Sequence, residues 1–147
     1  NIDPNNKVRL IRAIEIVKKL GKVPQITQED SPYEFIKIGL QMPEKNLQRK
    51  ISTRLRNRLR NGMTTELYNL RKSGVPWKKF MELGFDQRFV ALYLQKKITA
   101  KEMFTNLYSA CLQYAKRQAT WFKRDKQIRW FSPSEYGKII LYVKNCF

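Results

Sequence analysis

Apolar positions recur along most of this chain at helical spacing, and only two short stretches alternate as strands do. Val8, Ile11, Ile14 and Val17 mark a first helix. Asn5 or Asn6 caps it and Gly21 closes it, with Lys18 and Lys19 in the last turn, where the helix dipole favours cations. After a loop containing Pro24 and Pro32, residues 33–40 read as a strand, with Tyr33, Phe35 and Gly39 on one face and Ile36, Ile38 and Leu40 on the other. Both faces are largely apolar, the pattern of a strand buried inside a sheet, yet the rest of the chain offers one weak partner, Gln127 to Phe131.

Pro43-Glu44 opens a helix over 44–61 in which Leu47, Ile51, Leu55 and Leu59 form an i, i+4 stripe, and Gly62 ends it. Shorter helices follow over 65–72, 77–83 and 88–94. Thr99-Ala-Lys-Glu102 is a capping box that starts a long helix over 100–124. Ser132-Pro-Ser-Glu135 is a second one, predicting a last helix over 133–145 with Pro133 in its first position. No internal repeat, low-complexity tract or Gly/Ser linker interrupts the pattern. The expected fold class is mainly α with one or two strands, in one unit over 1–147.

The 147 residues carry 30 Lys and Arg against 12 Asp and Glu, a formal charge of +18, and no histidine. With 42% hydrophobic residues the chain can bury a core, which separates it from disordered basic tails. The missing histidines exclude His-based acid–base chemistry, Ser/His/Asp and Cys/His nucleophile systems, and imidazole metal sites. Cys111 and Cys146 lack C-x-x-C spacing, so reduced thiols and a cytoplasmic setting are expected. No apolar run reaches the roughly 18 residues that a membrane span requires. An excess of this size points to a polyanion: nucleic acid first, an anionic membrane surface second. Asn and Ile are also abundant, so compositional bias is the other source of lysine, and the placement of the charges has to decide.

On the long helix, Phe104, Tyr108, Cys111, Ala115, Ala119 and Phe122 share an apolar sector. Lys116, Arg117, Thr120, Trp121, Lys123 and Arg124 occupy another arc of roughly 160°. Arg117 and Arg124 flank Trp121, so an indole is offered beside two guanidinium groups, a mixture suited to single-stranded or looped RNA. A solvated cationic face with Trp121 against a neighbour is the plainer alternative. The helix over 44–61 carries Lys45, Arg49, Lys50, Arg54, Arg56, Arg58 and Arg60 around its leucine stripe, with Glu44 at its start. Such a helix suits an anionic membrane too, but its stripe is narrow and has no aromatic anchor. Two basic helices together with Arg9 and Arg12 favour a concave basic surface around RNA.

Lys116-Arg-Gln-Ala-Thr-Trp-Phe-Lys123, preceded by Tyr114-Ala115, resembles the K-R-Q-x-T-W-[FL]-[RK] signature of tRNA dimethylallyltransferases, which prenylate the adenosine 3′ of the anticodon. Other segments agree in order. Asp3 to Glu15 resembles P-N-D-x-x-R-[IL]-x-R-A-L-E, with Asn6 where Asp is usual, and the strand resembles one ending I-G-L. Leu47-x-x-Lys50-Ile51-x-x-Arg54 with Gly62 resembles L-x-x-R-I-x-x-R followed by M-L-x-x-G, and Gly84-Phe85-Asp86-Gln87 resembles G-Y-x-[EQ].

The resemblance covers nearly the whole chain but only the second half of the family. The family's P-loop and the Asp motif that supplies its base do not occur in this sequence. It implies the C-terminal portion of a P-loop-type α/β enzyme, whose parallel sheet would include the strand over 33–40, with the N-terminal half of the same enzyme as partner. It also implies transfer of a dimethylallyl group from dimethylallyl diphosphate to N6 of an adenosine flipped from the tRNA anticodon loop. Mg²⁺ would assist through ligands outside this chain, which alone is expected not to catalyse.

By the same resemblance Lys50 and Arg54 bind diphosphate. Lys50 stands where the family has arginine, and an ammonium lacks the bidentate fork, which leaves Arg49 or Arg54 to compensate. The implied tRNA contacts are Arg9, Arg12, Gly84, Phe85, Gln87, Lys116, Arg117, Gln118, Thr120, Trp121 and Lys123, with Phe85 replacing a tyrosine. A stand-alone helical RNA-binding module without catalysis is the alternative.

Overall fold

A computed structural model describes residues 3–24 and 32–146 and divides the chain into two compact units, residues 1–35 and 36–147. In the first, α1 spans Lys7–Leu20. The Asn6 side chain accepts a hydrogen bond from the Arg9 N–H at 3.1 Å, which places the cap on Asn6. Gly21 ends the helix at φ 75°, a conformation that favours glycine, and its N–H reaches the Val17 carbonyl. The stripe of Val8, Ile11, Ile14 and Val17 is exposed along its whole length. Of the loop expected between Pro24 and Pro32, residues 25–31 lie outside the described ones.

The second unit runs β1 (Ile38–Leu40), α2 (Glu44–Arg60), α3 (Met63–Lys72), α4 (Trp77–Leu83), α5 (Phe85–Leu94), α6 (Ala100–Phe122), β2 (Arg129–Phe131) and α7 (Tyr136–Lys144). Ile51 and Leu55, at the centre of the α2 stripe, are buried, and Leu55 joins Met63, Leu67, Phe80, Val90, Ala91, Met103 and Leu107 in one core spanning α2 to α6. Each large apolar side chain buried this way stabilises the unit by about 1.5–3 kcal/mol. Gly62, at φ 94°, turns the chain between α2 and α3, and its carbonyl accepts from the Glu66 N–H.

The expected strand over 33–40 shortens to Ile38–Leu40. It pairs in parallel with β2 in the register Ile38 to Arg129, Gly39 to Trp130 and Leu40 to Phe131, so the weak partner is the right one. Pairing begins only where β2 begins, at Arg129, which leaves Tyr33 to Lys37 outside the ladder. Nor is the strand buried: Ile38 is 37% and Leu40 60% exposed, because β2 alone covers neither face. Glycine at 39 has a packing reason, since a Cβ there would lie 2.6 Å from the Trp130 ring.

Several helix ends also move. The third helix begins at Met63, two residues before the expected start, and α5 begins at Phe85 because Gly84, at φ 153°, ends α4 and opens α5 in a single residue. The Thr99 capping box forms in both directions. The second box forms only in part: Glu135 accepts from the Ser132 N–H at 2.8 Å, but the Ser132 hydroxyl engages Ser134 and leaves the helix N–H groups uncapped. The last helix therefore starts at Tyr136 and not at Pro133. On α6 the buried residues are Met103, Leu107 and Cys111, so the core sector is rotated from the expected one, and Ala119 and Phe122 are exposed.

Candidate nucleic-acid interface

Past Cys111 the α6 helix carries no buried residue, and every side chain from Lys116 to Arg124 is exposed. Lys116, Arg117, Thr120, Trp121 and Arg124 line one groove of about 480 Å³ with Gln113. Trp121 is 65% exposed and meets Phe122 edge-on at 4.9 Å, which fixes the indole while leaving most of it open. The Thr120 hydroxyl donates to the Lys116 carbonyl at 3.0 Å, so its immediate work is within the helix.

Gln118 and Lys123 fall elsewhere. They line a different groove, of about 880 Å³, with Ala115, Phe122, Leu40 and Phe131. Helical rotation explains the place of Gln118, because positions 118 and 120 differ by about 200° at 100° per residue, whereas Lys123 lies about 60° from Thr120. The expected arc thus borders two grooves, with Lys123 at the edge between them.

Four cations of α2, Arg49, Lys50, Arg54 and Arg58, border a groove of about 690 Å³ together with Asn57 and Asn61. Arg56 is drawn off to cover the Phe104 ring at 4.9 Å. Glu44, the acid of the helix start, lies outside this groove.

Between the two basic surfaces sits the turn that opens α5. A Cβ at position 84 would meet Gln87 Oε1 at 3.2 Å in a backbone conformation that strains other residues, so glycine is needed there. Phe85 packs on Tyr114 of α6 with centroids 6.1 Å apart, and Arg117 lies over the same tyrosine at 5.9 Å. Asp86 Oδ2 accepts from Arg58 Nη1 of α2. One short turn therefore touches α6 at Tyr114, the ring beneath Arg117, and the α2 groove at Arg58. Cys111 is buried at this junction. Burial and the Asp86 carboxylate push its thiol pKa up, against Arg54 and Arg58, which pull it down.

The IPP transferase family matches residues 1–125. The chain belongs to this family. Among its members, a tRNA dimethylallyltransferase 2 from Pelobacter propionicus is 36% identical over 81% of the chain and 38% of the relative. The tRNA dimethylallyltransferase of Syntrophomonas wolfei is 30% identical over 98% of the chain and 47% of the relative. The crystal structure of the full-length tRNA isopentenylpyrophosphate transferase from Bacillus halodurans superposes with a TM-score of 0.67 at 30% identity, covering 98% of this chain and 45% of that one. The chain thus spans less than half the length of these relatives. Its mostly helical unit with two parallel strands matches the C-terminal part of IPP transferase structures.

Of the positions that resemblance to this family picks out, the fold brings Lys50 and Arg54 together in the α2 groove, and Lys116, Arg117, Thr120 and Trp121 together on α6. Arg9 and Arg12 are exposed on α1, in the other compact unit, where Arg12 pairs with Glu15 at 3.0 Å. The sequence motifs include Tyr114 and Asp86 but give them no role, and they do not foretell the use made of Arg58. The i+4 spacing of Arg54 and Arg58 was visible; their convergence with residues of α5 and α6 depends on helix packing and was not.

Proposed function

We propose that this chain is the tRNA-gripping part of a cytoplasmic prenyltransferase, which transfers a dimethylallyl group from dimethylallyl diphosphate to N6 of the adenosine 3′ of the anticodon. The observation that carries this reading is the Gly84–Gln87 turn, which packs on Tyr114 beneath Arg117 of the basic arc and pairs with Arg58 of the cation-lined groove. A base flipped between those surfaces has its phosphates near Arg117 and Lys116 and its prenyl donor near Lys50 and Arg54. In the transfer, N6 bonds to the allylic carbon, the carbon–oxygen bond to diphosphate breaks with its electron pair leaving on oxygen, and N6 loses a proton to a base.

The cations of the α2 groove favour the departing charge electrostatically. They are unsuited to Mg²⁺, which takes oxygen donors, and among the described residues no three His, Cys, Asp or Glu group as ligands. Family resemblance assigns the base to a motif absent from this sequence, so the chain alone binds without transferring. Among the described residues no helix is long and apolar enough to cross a membrane.

The test is to offer the isolated chain an anticodon stem-loop and radiolabelled dimethylallyl diphosphate, with anionic vesicles as competitor. Stem-loop binding that survives the vesicles, without prenyl transfer, is expected. Transfer at the rate of a full-length relative contradicts the assignment of the base, and vesicle binding that survives excess tRNA contradicts the RNA reading.

A further inference from the structure

Outside the positions that the family resemblance assigns, one ion pair ties the α2 groove to α5. Arg58 stands four residues beyond Arg54 and eight beyond Lys50, so three cations line one face of α2, each step rising about 6 Å. All three border the same groove. Like charges at this spacing repel along a helix, and no acid lines the groove to offset them all. Among the described residues, the carboxylate that pairs with this stripe is Asp86, through Arg58. Its placement is firm: it sits in the first turn of α5, where the helix dipole favours a carboxylate, and its side chain is 20% exposed. Arg58 is 48% exposed, so its guanidinium is anchored at one edge and open at the other. Asp86 Oδ1 is closed to solvent and has no hydrogen-bond partner among the described residues, while Oδ2 accepts from Arg58.

We propose that Arg58 is a further anion-binding residue of this groove and Asp86 its positioning residue. The carboxylate holds one N–H of the guanidinium, and the remaining donors present the fork that Lys50 cannot supply to a phosphate of the bound diphosphate. The proposal rests on the reading of the α2 groove as a diphosphate site.

Isothermal titration of the chain with inorganic pyrophosphate tests it, with Lys101→Ala, outside the groove, setting the effect of losing any one cation. Arg58→Ala is expected to weaken binding about tenfold beyond that control. Arg58→Lys recovers little, because an ammonium has no fork. Asp86→Ala also weakens binding although it removes an acid, and it adds nothing in an Arg58→Ala background. Should Asp86→Ala unfold by circular dichroism, Asp86→Asn keeps the shape and is expected to bind more weakly than the unaltered chain.

Tighter or unchanged binding in the Asp86 variants, or Arg58→Ala equal to the control, overturns the proposal. If Lys50→Ala weakens binding and Arg58→Ala does not, the groove reading stands and this inference falls. Binding insensitive to both removes the two together.

Discussion

Trp121 shows the division of labour on α6 at the scale of one residue. Its indole is mostly exposed, meets Phe122 edge-on and lies outside the buried core. Trp121→Ala is expected to weaken binding of an anticodon stem-loop by about 1–3 kcal/mol, the worth of one base–aromatic stack, while thermal unfolding moves by no more than about 0.5 kcal/mol. A large loss of stability with unchanged affinity would make it a packing residue. The two cysteines separate in the same way. Cys146 is exposed, whereas Cys111 is buried with its thiol pKa raised, so it holds less thiolate at neutral pH. Iodoacetamide should modify Cys146 first and reach Cys111 only after unfolding; equal rates would show that the junction of α2, α5 and α6 opens readily.

At the scale of elements, α6 is held at its N-terminal end and free at its C-terminal end. Leu107, fully buried at its core face, should cost about 2–5 kcal/mol when changed to Ala, read from chemical denaturation. The capping box adds a pH dependence. Hydrogen bonds from Thr99, first its backbone N–H and then its hydroxyl, hold the Glu102 carboxyl below its ordinary value. Its stabilisation is thus complete above that ordinary value and disappears as pH falls through the lowered one. Glu102→Gln should flatten this acid limb of the stability curve, and an unaltered limb would assign it to other carboxylates.

This box was legible from Thr99-Ala-Lys-Glu102 because both of its bonds are local. The Ser132 box was legible only in part, since a competing hydroxyl at Ser134 takes the capping oxygen. The strand over 33–40 was misjudged in length for a non-local reason: pairing is decided by β2, some ninety residues away, and no periodicity within the strand reveals where a partner ends. The basic faces of α2 and α6 were visible from helical spacing. Their meeting at Gly84–Gln87 was not, because it depends on how three helices pack.

For the whole molecule, the charge of +18 acquires an address. Part of it lines the α2 groove and part the exposed end of α6, with the α5 turn between them, while the exposed stripe of α1 and the uncovered strands belong to surfaces that this chain leaves bare. The proposed reading gives these cation-lined surfaces of a family member the task of holding tRNA. The most direct measurement is the salt dependence of anticodon stem-loop binding by the chain and by its Arg117→Ala, Lys123→Ala double variant. Loss of two phosphate contacts should weaken binding and reduce the slope of log affinity against log salt by about 1.4. An unchanged affinity and slope would contradict the account, because the signature cations of α6 would then face away from RNA.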